Sequence, residues 1–526
     1  MSLEIGLNNI FFNKLLNIFF LSKLEKKLYI YFDIKKKVKK NKKILVECVE
    51  DYYYYSLFGM IVQSLDSKID TEIYVARNLS VGASSSLLNF IKSLVFHNRF
   101  RDNKWIKLYR AYTNGIAYRH EGTTSIVLNI VLFVQAFKIY NKLHSKKDVL
   151  NLKFNDILVG DLIYDSYLRY KPAATVDTND FYLCIVIWQS LRNIKMTQDY
   201  FVKNNIKFVL TSYSSYIHHG ITARVAIHHG VDVYSFGDYG LFYQKLTSDY
   251  CYHAKDCRNY FKNYKKNEHN IHLHLATEGL ANRLNGKIDM ATSYMKESAY
   301  KNHSEDIPEV KNSVVIFLHD FFDSPHIYEK MLFCDFYEWF EKTIDILKEN
   351  KIDFWIKPHP NQMEDSKIVV ETLKIKYHNL KFLSTKITNK QLVDSGICAG
   401  ISVYGTVAHE LAYLGIPVVL CGDNPHSSYS FCFEAKNNQE YEIMLQGINS
   451  LTLPQDTKYQ VESFYYMHNL NHSKEMIALL DDMSNLRGAC VQLNEQSFIK
   501  YMDTTDEIMS NQEFKNLIKK LMKENR

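Results

Sequence analysis

The sequence predicts an α/β chain of two doubly wound, Rossmann-like lobes with a C-terminal helical return, and three observations carry that prediction. At 526 residues and 46% hydrophobic, the chain is too long for one core, so two domains are expected. Between residues 313 and 422, short β-branched runs alternate with helical stretches in the order a parallel sheet requires. The same alternation, less regular, runs through residues 44–300.

Residues 1–43 stand apart as a basic amphipathic segment. They hold eleven lysines against Glu4, Glu25 and Asp33, a net of +8, so the remainder of this +6 chain is close to −2. A near-neutral body argues against nucleic-acid binding, which needs basic residues spread over a folded face. The apolar clusters of this segment are too short for a spanning helix, which takes roughly 20 apolar residues, and no signal-peptide cleavage site follows them. Two readings stay open: an interfacial helix whose polybasic follow-up touches the inner face of the plasma membrane, or an amphipathic helix packed on its own domain. The nine cysteines are scattered, without a CxxC or a Cys/His cluster at zinc spacing, and read as reduced thiols of a cytoplasmic protein.

In the first lobe, 44–300, strands are expected at 44–48, 72–76, 157–160 and 206–210, with helices at 52–65, 125–143, 182–203 and 220–229. The polar stretch 301–311 is the hinge candidate. In the second lobe, 301–470, strands are expected at 314–318, 353–356, 382–383, 397–402 and 417–421, with helices at 327–349, 366–376, 388–394 and 405–414. Residues 471–526 read as helices that brace the lobes.

Ligands of open parallel sheets sit beyond the carboxyl ends of the strands, and here those positions are polar. The 314–318 strand runs into His319-Asp320-Phe321-Phe322-Asp323-Ser324-Pro325-His326, and the 353–356 strand into Lys357-Pro358-His359-Pro360. The strand at 397–402 ends at Ser402 and leads through Gly405 and Thr406 into a helix carrying His409 and Glu410. Lys357 offers a point charge, His359 a hydrogen-bond donor, and the prolines a stiff loop, a set suited to phosphate. Ser402 and Thr406 flank a helix start, where free N–H groups favour a phosphate oxygen. Glu410 could accept hydrogen bonds from a ribose, and His319 and Asp320 complete the candidate donor site.

Together, the Lys-Pro-His-Pro segment, the later SVYGTVAHELAYLGIPVV segment and the order of elements resemble the donor lobe of GT-B glycosyltransferases of the bacterial capsule-polysaccharide-synthesis type, which includes Kdo transferases and, more distantly, polysialyltransferases. The resemblance implies that His359-Pro360 and Ser402 with Thr406 hold the CMP part of a nucleotide-sugar donor. It covers about 110 residues, and the acidic motif that supplies the base in those families has no aligned counterpart.

A base must come from the opposite lobe, because the acceptor hydroxyl loses a proton as the anomeric carbon is attacked. The candidates are Asp161 and Asp165 in one stretch, His219 in another, and Glu121. No Asp-x-Asp triplet occurs, so no metal is expected, and no cofactor. The absence of GxxxxGK[ST], GxGxxG and GxSxG removes P-loop, dinucleotide and hydrolase signatures. The expected activity is sugar transfer to a glycan or lipid-linked glycan acceptor in capsule or lipopolysaccharide synthesis. Its rivals are a polyol-phosphate transferase using a CDP-glycerol-like donor, a nucleotide-sugar epimerase, and a non-catalytic assembly factor.

Overall fold

Strand β1 (Lys43–Glu47) is an apolar run ended by a carboxylate, and it occupies the middle of the first sheet with four of its five residues buried. In the computed structural model, which describes residues 21–33, 42–65, 70–76, 104–119, 125–237, 243–266, 273–289, 298, 305–322 and 324–523, this sheet also contains β2 (Asp70–Val75) and β3 (Ile116–Arg119). A separate hairpin, β4 (Lys153–Phe154) with β5 (Ile157–Leu158), follows. The first sheet continues with β6 (Ile206–Thr211), β7 (Asp232–Ser235) and β8 (Gln244–Leu246), in the order β3-β2-β1-β6-β7-β8. All its pairings are parallel except β7 with β8. The second sheet holds β9 (Val314–Phe317), β10 (Phe354–Lys357), β11 (Ala399–Ile401), β12 (Val418–Leu420) and β13 (Phe433–Glu434), ordered β10-β9-β11-β12-β13 and parallel throughout.

Side chains alternate between the two faces of each strand, so each sheet feeds two cores. Ile44, Val46, Phe208 and Leu210 enter one core of the first sheet, and Leu45, Val209 and Val233 the other. In the second sheet Val314, Ile316 and Ile356 face one way, and Val315, Phe317 and Val418 the opposite way. The helical return is present as Lys474–Val491, Phe498–Ser510 and Gln512–Lys523. It places Leu479, Leu486, Tyr501, Phe514 and Leu521 in the core of the first sheet.

The described part of the basic segment takes the packed reading. Helix Lys23–Tyr31 opens with a capping box between Ser22 and Glu25 and buries Leu28 and Tyr29 in the same core. Residues 1–20 and 34–41 lie outside the described residues, as does Glu121. Among the described residues, no helix is long and apolar enough to cross a membrane.

Several expected elements are corrected. Residues 157–160 do not join the parallel sheet: Asn155 and Asp156 have φ of 50° and 63°, making a tight turn that folds β5 back on β4. The 327–349 helix begins only at Phe336, with Asp335 as its cap. Residues 382–383 contribute one isolated bridge, from Phe382 to Ile356, instead of a strand. Strands β3, β7, β8 and β13 were not expected. Of the hinge candidate, residues 305–310 have no regular structure, and 301–304 lie outside the described residues.

Candidate functional site

Because β9, β10 and β11 run parallel in adjacent positions, their carboxyl ends share one edge, which gathers His319, Lys357, His359 and Ser402. The His319 ring stacks on Phe336 at 4.6 Å and 15°. Its Nε2 lies 3.1 Å from Ser402 Oγ and accepts the backbone N–H of Tyr404 at 3.4 Å. Burial, and then the neighbouring His359, push its pKa down to about 3, so His319 is a neutral acceptor that orders the loop after β11. Ser402 is 1% exposed, and its Oγ also approaches the carbonyls of Phe317 and Tyr404 at 3.3 and 3.2 Å.

His359 Nδ1 accepts the N–H of Asn361 at 3.2 Å. The neutral ring therefore keeps its proton on Nε2 and offers a donor. Burial lowers its pKa to about 4, a shift that Asp320 opposes and Lys357 reinforces. Lys357 ends β10 at 3% exposure. Burial lowers its ammonium to about 8, against a partial offset from Glu410.

The remaining donor-site candidates are less open to a ligand. Asp320 accepts hydrogen bonds from the Met363 N–H at 2.6 Å, Ser366 Oγ at 2.5 Å and the Phe322 N–H at 3.0 Å. It thus ties Met363, the residue before helix Glu364–Lys376, and Ser366 in its first turn to the loop after β9, fixing the far end of the Lys-Pro-His-Pro loop. Glu410, expected to meet a ribose, is 3% exposed and accepts from Arg283 Nε at 2.7 Å and Asn389 Nδ2 at 3.3 Å. Thr406 precedes helix Val407–Tyr413 without a side-chain capping bond. Gly405 before it has φ +113°, a backbone that side-chain-bearing residues rarely adopt.

The described base candidates, Asp161, Asp165 and His219, sit on or beside helix Gly160–Tyr170, which follows the hairpin directly. Gly160 is required there, since a Cβ would lie 2.2 Å from the carbonyl oxygen of Leu150. Asp161 lies in the first turn of this helix and is gripped by Arg224 at 2.6 and 2.5 Å. Burial would raise its pKa, but Arg224 outweighs burial and holds it below the usual carboxylate range, which makes Asp161 a weak proton acceptor. One turn later, Asp165 Oδ1 accepts from His326 Nδ1 at 2.6 Å, and its Oδ2 from the His326 backbone N–H at 3.4 Å. This pair joins the first lobe to the loop after β9.

His219 lies on the π-helical turn Tyr216–Gly220 and hydrogen-bonds through Nδ1 to Glu47. Glu47 is fully buried and also accepts from the Ser212 N–H at 2.6 Å, Ser212 Oγ at 2.7 Å and Thr211 Oγ1 at 2.9 Å. Burial raises its pKa, yet His219 and these donors bring the net shift below the usual value. Sequence reasoning missed Glu47 and the partnership of His326. The available signals were a carboxylate closing an apolar strand and a histidine inside the polar run after β9. Among the described residues, no group of three His, Cys, Asp or Glu side chains is placed to hold a metal ion.

The chain is thus a two-sheet α/β protein whose polar side chains collect at the carboxyl edges of both sheets. No protein-family profile matches its sequence, and no curated protein matches it. Among solved structures, it is similar to the UDP-GlcNAc 2-epimerase from Neisseria meningitidis bound to UDP-GlcNAc, at 10% identity, 86% coverage of this chain, 100% of that chain and a TM-score of 0.22. The Methanocaldococcus jannaschii UDP-GlcNAc 2-epimerase in complex with UDP-GlcNAc and UDP matches at 10% identity, 80% and 97% coverage and a TM-score of 0.22. A likeness this loose transfers no site residue.

Proposed function

We propose that the protein is a glycosyltransferase that moves a sugar from a nucleotide-activated, CMP-linked donor to a glycan acceptor of capsule or lipopolysaccharide synthesis. The donor occupies the 301–470 lobe and the acceptor the 44–300 lobe. One observation carries this reading: His319, Lys357, His359 and Ser402 converge at the carboxyl edge of β9, β10 and β11.

That edge holds a buried ammonium and a neutral imidazole with an Nε2–H donor, groups matched to a phosphate oxygen. When the sugar departs, the nucleotide phosphate gains negative charge, so cations and donors already in place stabilise the transition state more than the ground state. Because their own loops and strands hold them, little ordering is left to be done on binding. The low pKa of His359, about 4, keeps it a neutral donor throughout the physiological range.

The test is binding of CMP, CDP, UDP and GDP by calorimetry, followed by the His359→Ala variant. A cytidine nucleotide should bind best, and the variant should weaken it about tenfold, the loss expected for one hydrogen bond to a charged group, with an unchanged circular dichroism spectrum. Unaltered affinity in the variant would remove the reading. Product analysis with a nucleotide sugar then separates transfer from epimerisation, since an epimerase alters the nucleotide sugar and adds nothing to a glycan.

A further inference from the structure

Asp165 and His326 come from different lobes, yet their side chains meet at 2.6 Å. With Asp165 accepting the Nδ1–H, a neutral His326 ring must carry its lone pair on Nε2. That Nε2 is buried and has no hydrogen-bond partner among the described residues. A buried polar atom left unpaired is destabilising, and a ligand hydroxyl seated against it would remove the cost. The ring is also fixed in direction, because Tyr164 packs edge-on at 5.4 Å and 75°, and the Tyr164 hydroxyl is itself anchored on Asp335.

We propose that His326 is the general base of the transfer, its Nε2 taking the proton of the acceptor hydroxyl, with Asp165 as the positioning residue that sets the tautomer and steadies the imidazolium. The proposal rests on the donor-site reading above. In the step, the acceptor O–H bond breaks and its proton goes to Nε2. The oxygen's electron pair forms the new bond to the anomeric carbon. The bond from that carbon to the nucleotide phosphate breaks, and its electron pair leaves with the phosphate oxygen toward His359 and Lys357. No oxidant, reductant or metal enters the balance. The base therefore comes from the loop after β9, and the first lobe contributes the carboxylate behind it.

The groups facing His326 define its pH dependence. Asp165, Asp161 and Tyr164 face it from helix Gly160–Tyr170, and Asp335 from the cap of the following helix; Asp161 is paired with Arg224, and Asp335 with Lys146 at 3.6 Å. Burial lowers the His326 pKa, but Asp165, Asp161 and Asp335 together outweigh burial and raise it above the ordinary value. A base acts in its neutral form, so kcat should climb with pH through this raised pKa. Replacing Asp165 by a neutral group should move that limb to lower pH.

The experiment uses the full chain with the nucleotide sugar it binds, and measures nucleotide release with water as acceptor and with glycan acceptors. His326→Gln should lower kcat by about 100-fold or more, the usual range for a lost general base, while donor affinity stays within about threefold. Asp165→Asn should keep part of the activity and shift the acidic limb downward. A His326→Gln enzyme that binds donor and turns over within about fivefold of the parent would overturn the proposal while leaving the donor reading intact. So would an Asp165→Asn variant that loses thermal stability but keeps the pH limb in place, since a purely structural clamp behaves that way. If the unaltered protein binds no nucleotide sugar, the donor reading fails, and this assignment fails with it.

Discussion

Lys357 is the residue whose charge state should matter most at the proposed donor edge. Its ammonium, lowered to about 8 by burial, is positive at neutral pH and loses its charge as pH rises through that value. Nucleotide affinity should therefore hold from pH 6.5 to 7.5 and fall by about tenfold by pH 9.5, and in Lys357→Gln it should be weak and flat across the range. Calorimetric titration at stepped pH checks both. The placement of Lys357 and His359 at the carboxyl end of a strand was legible in the sequence because the apolar run Phe354-Trp355-Ile356 stops there and polar residues follow at once. The fate of Asp161 was not legible, because its partner Arg224 is 63 positions away and only the packing of two helices brings them together. Glu47 was hidden for a related reason: a carboxylate at a strand end looks solvent-exposed until the chain returns to cover it with Ser212 and His219.

Among the elements, helix Phe336–Glu349 shows how a cap can also join lobes. Asp335 Oδ1 accepts the Glu338 N–H at 2.7 Å, while Oδ2 accepts Thr175 Oγ1 at 2.5 Å and the Tyr164 hydroxyl. Asp335→Ala should cost about 2–4 kcal/mol, since it removes a cap and takes the partner from the buried Tyr164 hydroxyl and the half-buried Thr175 hydroxyl; Asp335→Asn, which keeps the cap, should cost less. Thermal unfolding of both variants checks the order. The helix start was misread because residues 327–335 press apolar side chains into the core at near-helical spacing. Their backbone is satisfied differently, Leu332 N–H on the Cys421 carbonyl at 2.9 Å and Asp423 N–H on that of Lys330 at 2.8 Å. Periodicity reports which side chains are buried, not where the backbone hydrogen bonds go. The parallel runs around β9, β10, β11 and β12 were legible because each is buried on both faces and reads as continuous apolar sequence, whereas two-residue strands such as β13 carry too little pattern.

At the scale of the whole molecule, neutral histidines whose pKa values burial lowers should limit stability in acid. His253, His319, His359, His409, His426 and His468 all have pKa values lowered, first by burial. Each binds a proton more readily in the unfolded chain, near 6.5, than in the folded one. Stability should thus be fully present above about pH 6.5 and decline as pH falls toward 4. His326 opposes the trend, its pKa being raised, but it is outnumbered. The midpoint of thermal unfolding should drop steadily over that window, and a flat profile would contradict the burial of these rings.

The helical return has a consequence for how the molecule is made. Leu479, Tyr501 and Phe514 wall the core that Ile44 and Val46 begin, whereas the cores of the second sheet draw their buried residues from positions 310–448. On the ribosome, the lobe translated first waits longest for its missing wall, and the lobe translated second is the first able to close. A growing chain thus carries an open apolar face until residues 474–523 have emerged, so the interval when it most needs chaperone protection comes before these helices arrive.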